Sequence, residues 1–147
     1  MTSFDTVLIA NRGAIACRVE RTVRAMGLRS VAVYSDADKG SLHVVGADAA
    51  IALGGVRPAD SYLRTDLILE AARASGAGAV HPGYGFLSEN ADFAEACERA
   101  GLVFIGPSAE QMRAFGLKHK ARELATLHGV PLTPGSALLA DAAEALA

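Results

Sequence analysis

Residues 81–90, with the sequence HPGYGFLSEN, form the stretch whose composition best suits the binding of a ligand. Gly83 and Gly85 can adopt positive φ angles, which lets a backbone approach a bound molecule closely. Pro82 stiffens the entry to the loop, and Tyr84 stands between the two glycines. The spacing therefore predicts a short, stiff loop that holds an aromatic ring in a defined place.

The other side chains that could do chemistry are scattered along the chain. The two cysteines, Cys17 and Cys97, cannot form a disulfide framework. Cys97 falls with Phe93 and Ala100 on the core-facing side of a predicted helix, where we expect it to be inert. The histidines lack the spacing of a zinc site; they are His43, His81, His119 and His128. We therefore assign no metal ligand, and we interpret His81 as a half-buried structural histidine.

The elements that must position the loop are read from periodicity. Five apolar runs with strand character alternate with segments of helical periodicity; the runs are residues 6–10, 30–34, 49–53, 77–80 and 102–105. Thr65 is predicted to cap one helix, and Ser88 or Asn90 the next. This alternation predicts a doubly wound, Rossmann-like α/β domain with a parallel sheet of about five strands. The loop then follows the fourth strand, at the edge where such sheets bind ligands.

The residues after position 106 are predicted to belong to something else. A helical region spans residues 108–128 with a break around Gly116, and an extended linker follows it. Asp141 and Glu144 form a capping box close to the last residue, and a helix of so few residues is marginal in water. We therefore expect residues 1–106 to be one domain, and residues 107–147 to be a helical linker with the beginning of a second domain that is cut short.

Composition argues against several classes of protein. Apolar residues make up 51% of the chain, which suits a domain with a sizeable core. The net charge of −2 and the lack of a Lys/Arg run give no basic field for nucleic acid or an anionic membrane. The apolar run at residues 7–10 is far too short for a signal peptide or a membrane span. We expect a cytoplasmic protein that binds neither nucleic acid nor membranes.

Several separated motifs resemble the amino-terminal part of biotin carboxylase. They are residues 9–13 (IANRG), residues 81–90, and residues 130–131 and 134–136 (VP and PGS), in the order and spacing of that family. The resemblance covers essentially the whole chain and implies a pre-ATP-grasp domain followed by the first elements of an ATP-grasp domain. It further implies a complete enzyme that uses ATP, Mg²⁺ and bicarbonate to carboxylate biotin held on a carrier domain.

The resemblance also implies roles for individual residues. Lys118 resembles the family lysine that contacts ATP, although a solvated helix face would also explain it. Tyr84, with Gly83 and Gly85, resembles the wall of the biotin pocket, and its alternative role is packing at a sheet edge. Glu89 would lie near the bicarbonate site, or would merely favour the dipole in a first helical turn. No catalytic residue is expected in the chain, and the Mg²⁺ ligands are expected beyond residue 147.

Two short segments resemble urea carboxylase in particular: residues 4–8 and residues 116–122. Acyl-CoA and pyruvate carboxylases more usually carry Asp where Leu117 stands. We therefore favour urea carboxylase, with guanidine, acyl-CoA or pyruvate carboxylase as alternatives. Ala14 departs from the family, which usually has Glu after Asn-Arg-Gly, so any role of that acid is in doubt in this chain.

Two other functional classes remain as alternatives. Asp36, just after the second strand, suggests an NAD-binding Rossmann domain, but only Gly13 occupies the first turn and the Gly-x-Gly-x-x-Gly fingerprint is missing. A non-catalytic assembly module is the second alternative. Separately, the polar face of the first helix carries Arg18, Arg21 and Arg24, and it is either solvated surface or part of a subunit contact.

Overall fold

A computed structural model describes residues 4–135 and contains a five-stranded parallel sheet. The strands are β1 (Thr6–Ile9), β2 (Arg29–Tyr34), β3 (Ala49–Ala52), β4 (Ala79–His81) and β5 (Val103–Phe104). The helices are α1 (Gly13–Ala25), α2 (Leu42–Gly46), α3 (Thr65–Ser75), α4 (Ala91–Arg99), α5 (Ala109–Phe115) and α6 (Lys118–Leu127). The strand order is β3-β2-β1-β4-β5, so the predicted doubly wound α/β fold is confirmed.

Strand β1 lies at the centre of the sheet, between β2 and β4. All four of its residues are buried, which requires cover on both faces of the sheet. Val7 and Ile9 pack against Val19 and Val23, which are one turn apart on α1. Burying a side chain of this size stabilises the fold by roughly 1.5 to 3 kcal/mol. The loops that follow β1 and its neighbours are therefore attached to a rigid layer.

The predicted caps were only partly correct. Arg64 is the N-cap residue of α3 and Thr65 is already its first helical residue, so the assignment of Thr65 as the cap was wrong. Helix α4 begins after Asn90, whose side chain accepts a hydrogen bond of 2.9 Å from the backbone N–H of Phe93. Of the two candidates, Asn90 rather than Ser88 is the cap. Such a bond contributes about 1 kcal/mol to helix stability.

Helix α4 also shows which apolar residues reach the core. Cys97 is fully buried, and burial raises the pKa of its thiol to about 12, as expected for an unreactive cysteine. Ala100, predicted to face the core, is exposed, because α4 ends one residue earlier and Ala100 is its C-cap. The buried residues of α4 are Phe93, Ala94 and Cys97.

The connector between β2 and β3 contains α2, and His43 on that helix is buried. The His43 Nδ1 atom accepts a hydrogen bond of 3.3 Å from the backbone N–H of Gly13, and burial lowers the pKa of the ring. Glu20 on α1 is buried as well, and its Oε1 atom has no hydrogen-bond partner. A Cβ atom on Gly46 of α2 would lie only 2.9 Å from that oxygen.

Glu20→Gln is expected to raise the melting temperature at neutral pH. Burial raises the pKa of Glu20, and nearby Asp48 adds to that shift. Because the folded state then binds this proton more tightly than the unfolded state, the free energy of unfolding falls as pH rises through the raised pKa. The gain from Glu20→Gln should therefore vanish below about pH 4, where a carboxyl group is protonated in both states. Thermal unfolding from pH 3 to pH 8 measures it, with the exposed Glu70→Gln as the control.

The chain divides into two compact units, Met1–Ala109 and Glu110–Ala147. In the second unit the predicted break at Gly116 is confirmed, since α5 ends at Phe115 and α6 begins at Lys118. The backbone N–H of Gly116 donates to the carbonyl of Met112, and a Cβ atom at Gly116 would lie 2.7 Å from that same oxygen. A glycine is therefore required for this tight turn.

Residues 130–135 run without regular secondary structure, as predicted for a linker. Arg122 on α6 donates a hydrogen bond of 2.9 Å to the carbonyl oxygen of Thr133, which ties this segment to the helix. The predicted capping box of Asp141 and Glu144 lies outside the described residues. The domain boundary at residue 106 stays a prediction. Within residues 4–135, no helix has the length and apolar character needed to cross a membrane, and the cytoplasmic location also stays a prediction.

Candidate functional site

The loop after β4 is fastened to the end of β1 by one buried amide. The Nδ2 atom of Asn11 donates to the carbonyl oxygens of Pro82 at 2.7 Å and Tyr84 at 2.8 Å. Its Oδ1 atom accepts a hydrogen bond of 2.9 Å from the backbone N–H of Arg12. Strands β1 and β4 are neighbours at the point where the strand order reverses, which is where open α/β sheets bind ligands. The predicted loop is thus held at the switch point of the sheet.

The two glycines of the loop share a conformation but not an environment. Gly83 has a φ angle of +67° and Gly85 one of +65°. A Cβ atom on Gly83 would lie 2.7 Å from Asn11 Nδ2, whereas a Cβ atom on Gly85 would meet nothing within 4 Å. The absence of a side chain at Gly83 therefore lets the loop approach the Asn11 amide closely, whereas the space beside Gly85 is open.

Tyr84 projects away from the body of the unit. Its exposed fraction is 66%, although its backbone carbonyl is held by Asn11. A ring this exposed shows no packing within this unit, and the choice between the biotin pocket and a sheet edge stays a prediction. The loop presents an exposed aromatic ring on an anchored backbone, beside an open glycine.

His81 supports the loop from the end of β4. Its Nδ1 atom accepts a hydrogen bond of 3.0 Å from the backbone N–H of Gly83, and the ring is half-buried. Burial lowers the pKa of His81, which favours the neutral imidazole that this acceptor role requires. The geometry agrees with the structural interpretation of His81.

Glu89 is exposed and lies immediately before the N-cap residue Asn90. Its assignment to the first turn of α4 was therefore wrong. The acidic residue in that turn is Asp92, so the helix dipole does not explain Glu89. A role near the bicarbonate site stays a prediction.

A second set of side chains at this edge was missed by the sequence reasoning. The carboxylate of Asp38, after β2, accepts from the Tyr62 hydroxyl at 2.7 Å and the Ser35 hydroxyl at 3.1 Å on Oδ2, and from Arg12 Nη2 at 2.8 Å on Oδ1. The backbone N–H of Ser35 donates to the Tyr62 oxygen at 3.1 Å. The Arg12 guanidinium lies 5.9 Å from the centre of the Tyr62 ring, within the range of a cation–π contact.

These contacts determine the charge state of Asp38. Burial alone would raise its pKa, but the hydrogen bonds from Tyr62, Arg12 and Ser35 outweigh burial and hold the pKa below its ordinary value. Burial and the adjacent carboxylate raise the pKa of Tyr62, so its hydroxyl keeps the proton that it donates. Asp38 is therefore an ionised acceptor at neutral pH.

Phe86 connects this cluster to the loop. It is the one non-glycine residue among those described with a positive φ angle, +44°, a conformation that costs of order 1 to 3 kcal/mol. Its ring stacks on that of Tyr62 with a centroid distance of 5.2 Å and an interplanar angle of 7°. A stacked pair contributes roughly 0.5 to 1.5 kcal/mol beyond the burial of its area, which can offset much of that cost.

The missed residues differ in how well the sequence signals them. Asn11, Arg12 and Asp38 follow β1 and β2 closely, and the rule that selected residues 81–90 applies equally to them. Tyr62 has no such signal, and although Phe86 lies within residues 81–90, its pairing with Tyr62 depends on where the chain returns after β3.

Lys118 belongs to the second unit, where it is the exposed first residue of α6. The N-cap position of α6 is Leu117, which makes no side-chain cap, and no acidic residue stands in the first turn. A lysine here, together with unpaired N-terminal N–H groups, favours an anion. Its role with ATP stays a prediction.

A doubly wound parallel sheet with an anchored glycine and aromatic loop at its switch point defines a ligand-binding α/β domain. The profile of the family described as "Biotin carboxylase, N-terminal domain" matches residues 3–112. The chain therefore belongs to the biotin carboxylase family, which confirms the resemblance drawn from its motifs. That membership leaves the NAD-binding alternative without support.

Among curated proteins, urea amidolyase of Lachancea kluyveri is 56% identical over 142 residues, which are 97% of this chain and 8% of that protein. The biotin carboxylase of Halalkalibacterium halodurans is 53% identical over 144 residues, which are 97% of this chain and 32% of that protein. This chain thus spans less than a third of the length of either relative.

Solved structures show the same two kinds of relative. The crystal structure of a biotin carboxylase–βγ-ATP complex from Campylobacter jejuni matches with a TM-score of 0.93 and 46% identity, over 97% of this chain and 32% of that one. The K. lactis urea amidolyase matches with a TM-score of 0.87 and 56% identity, over 89% of this chain and 8% of that one.

The chain's own residues fit the ligands of this family unequally. The exposed Tyr84 ring beside the open side of Gly85 suits a flat bicyclic ring such as that of biotin. Among residues 4–135, no three His, Cys, Asp or Glu side chains are grouped so that they could hold a metal ion.

Proposed function

We propose that this chain is the amino-terminal part of an ATP-dependent urea carboxylase, which carboxylates biotin at the expense of MgATP and bicarbonate. The observation that carries the proposal is the exposed ring of Tyr84, whose backbone carbonyl is bonded to Asn11 at the switch point of a biotin carboxylase family domain. Its identity of 56% to a urea amidolyase supports the choice of urea. The match of 53% to a biotin carboxylase keeps other acceptors as the outcomes to test.

Each site residue has a defined task in this proposal. Tyr84 packs on the ureido bicycle of biotin, and the open side of Gly85 leaves room for that ring. Lys118 binds nucleotide phosphates, and Glu89 lies near bicarbonate. When bound, MgATP supplies the phosphoryl group that activates bicarbonate, and the metal ligands and acid/base residues belong to the part of the enzyme after residue 147. The partners of this chain are thus the remainder of the carboxylase and its biotin carrier domain, with a homodimer as a further prediction.

The acceptor is tested with the complete carboxylase that carries this chain. Bicarbonate-dependent ATP hydrolysis and transfer of labelled bicarbonate are measured with urea, guanidine, acetyl-CoA and pyruvate in parallel. We expect transfer to urea. Transfer to another acceptor with biotin still carboxylated would reject urea alone, whereas the absence of carboxybiotin would reject the whole proposal. The 147-residue chain by itself is expected to show no biotin-dependent ATP hydrolysis.

Tyr84→Ala is expected to weaken the use of free biotin by roughly 1 to 3 kcal/mol, the scale of a lost aromatic contact and its hydrogen bond. The ring is exposed in this unit, so the melting temperature and the KM for ATP should change little. Tyr84→Phe separates the ring from the hydroxyl. Measuring the melting temperature and both KM values in the complete enzyme checks the prediction, and a lowered melting temperature with an unaltered biotin KM contradicts it.

Lys118→Gln is expected to lower kcat/KM for ATP about tenfold or more, because one charge-assisted contact contributes roughly 1.5 to 3 kcal/mol. The KM for bicarbonate should stay nearly constant. Lys120→Gln is the matched control, since Lys120 is exposed two residues further along α6. Equal kcat/KM values for ATP in the two variants would show that Lys118 is an ordinary residue of a solvated helix face.

A further inference from the structure

We propose that Tyr62 and Phe86 are positioning residues for the Tyr84 ring, with Asp38 and Arg12 as their support. The inference rests on the proposed function of Tyr84; it adds Tyr62 and Asp38, which lie outside the motifs, and gives Phe86 and Arg12 within them a role. It begins from a local feature. A non-glycine residue persists at a positive φ angle only when its surroundings determine that conformation, and Phe86 is such a residue.

The surroundings of Phe86 are unusually rigid. The ring of Tyr62, on which it stacks, is 1% exposed, so it has no free volume to move into. The hydroxyl of Tyr62 donates to Asp38 and accepts from the backbone of Ser35. Asp38 in turn accepts a hydrogen bond from Arg12, whose guanidinium lies near the Tyr62 ring. Phe86 thus stacks on a buried tyrosine ring whose hydroxyl both donates and accepts a hydrogen bond.

The location of the cluster connects it to the candidate site. Arg12 follows β1, Asp38 follows β2, Tyr62 lies between β3 and α3, and Phe86 follows β4. These four strands are neighbours in the sheet, so the cluster joins the segments that follow four adjacent strands. A small shift in any one of these loops is opposed by the other three.

Tyr84 lies between two anchored points of the loop. Its own carbonyl is held by Asn11, and Phe86 follows two residues later. Gly85 separates the two, and no atom lies within 4 Å of the place where its Cβ would be. The carbonyl of Gly85 accepts a hydrogen bond of 2.9 Å from the backbone N–H of Ser88, which closes a turn around Phe86. The Phe86–Tyr62 stack holds this turn at the carboxyl-terminal side of Tyr84.

The test compares aromatic deletions in the complete carboxylase. Phe86→Leu and Tyr62→Leu are expected to raise the KM for biotin roughly three- to tenfold, the effect of losing one stacked pair, and to leave the KM for ATP unchanged. Phe104→Leu is the matched control, because Phe104 forms the edge-to-face pair with buried Phe93 and lies on β5. It should lower the melting temperature without changing the biotin KM.

Two further variants keep the inference falsifiable. Phe86→Gly removes the ring and the backbone strain together, so it folds even if Phe86→Leu does not. The biotin KM of Phe86→Gly should still rise. Phe86→Tyr keeps an aromatic ring at this position, so its biotin KM should equal that of the unsubstituted enzyme. An unchanged biotin KM in Phe86→Gly overturns the positioning role. If Tyr84→Ala also leaves the biotin KM unchanged, the proposed function of Tyr84 fails; if Tyr84→Ala raises it and Phe86→Gly does not, only the positioning role fails.

Discussion

Gly83→Ala is expected to lower the free energy of unfolding by about 2 to 5 kcal/mol. A left-handed backbone costs a non-glycine residue roughly 1 to 2 kcal/mol, and overpacking adds roughly 1 to 3 kcal/mol. Both terms apply, because Gly83 has a φ angle of +67° and its Cβ would lie 2.7 Å from Asn11 Nδ2. Denaturant unfolding of the 147-residue chain measures the loss.

Gly85→Ala separates the two terms. Its φ angle of +65° gives the same backbone cost, but a Cβ atom there meets nothing within 4 Å. We expect a loss of only about 1 to 2 kcal/mol from Gly85→Ala. Equal losses for the two variants would show that the contact between Gly83 and Asn11 does not constrain the loop.

Asn11→Ala is expected to cost roughly 2 to 5 kcal/mol, because buried groups that lose their partners carry the full desolvation penalty. The substitution removes two bonds to the loop carbonyls of Pro82 and Tyr84, and one from the N–H of Arg12. In the complete enzyme the biotin KM should rise as well, because the loop loses its anchor on β1. Melting temperature and denaturant midpoint measure the first effect.

Asn90→Ala is the control for Asn11→Ala. It removes the same side chain at the N-cap of α4, where one bond to Phe93 is lost and the expected cost is about 1 kcal/mol. If Asn11→Ala costs no more than this, the amide does not anchor the loop. In the double variant Asn11→Ala/Gly83→Ala, the penalty at Gly83 should shrink, because Nδ2 and Cγ of Asn11 are gone and only its Cβ, at 3.0 Å, remains close.

The local sequence determined the elements and their order. Each of the five predicted strands is present, since a short β-branched run between turn residues has few alternatives. The ends of helices were predictable where a residue type is required: Gly76 has a φ angle of +68° at the end of α3, and Asn90 caps α4. Thr65 and Ala100 were assigned wrongly, because a shift of one residue at a helix end leaves the periodicity intact.

The sequence also determined the candidate loop and the family. The glycines, the proline and the tyrosine of residues 81–85 are a local pattern, and their conformation depends on residue type more than on distant contacts. Motifs in a fixed order are likewise visible along the chain, so the biotin carboxylase family could be recognised before the fold was known, and the profile match to residues 3–112 confirms it.

Only the tertiary structure decided what holds the loop in place. Asn11 bonds to carbonyls 71 and 73 residues away, and Asp38 bonds to a tyrosine 24 residues away. Parallel strands are joined by long crossovers, so residues that meet at the carboxyl edge of the sheet are distant in sequence. Hydrophobic periodicity reports which face of an element is buried, but it does not report which loops the strand order β3-β2-β1-β4-β5 brings together. The partners of Asn11, Asp38 and Phe86 follow from that order.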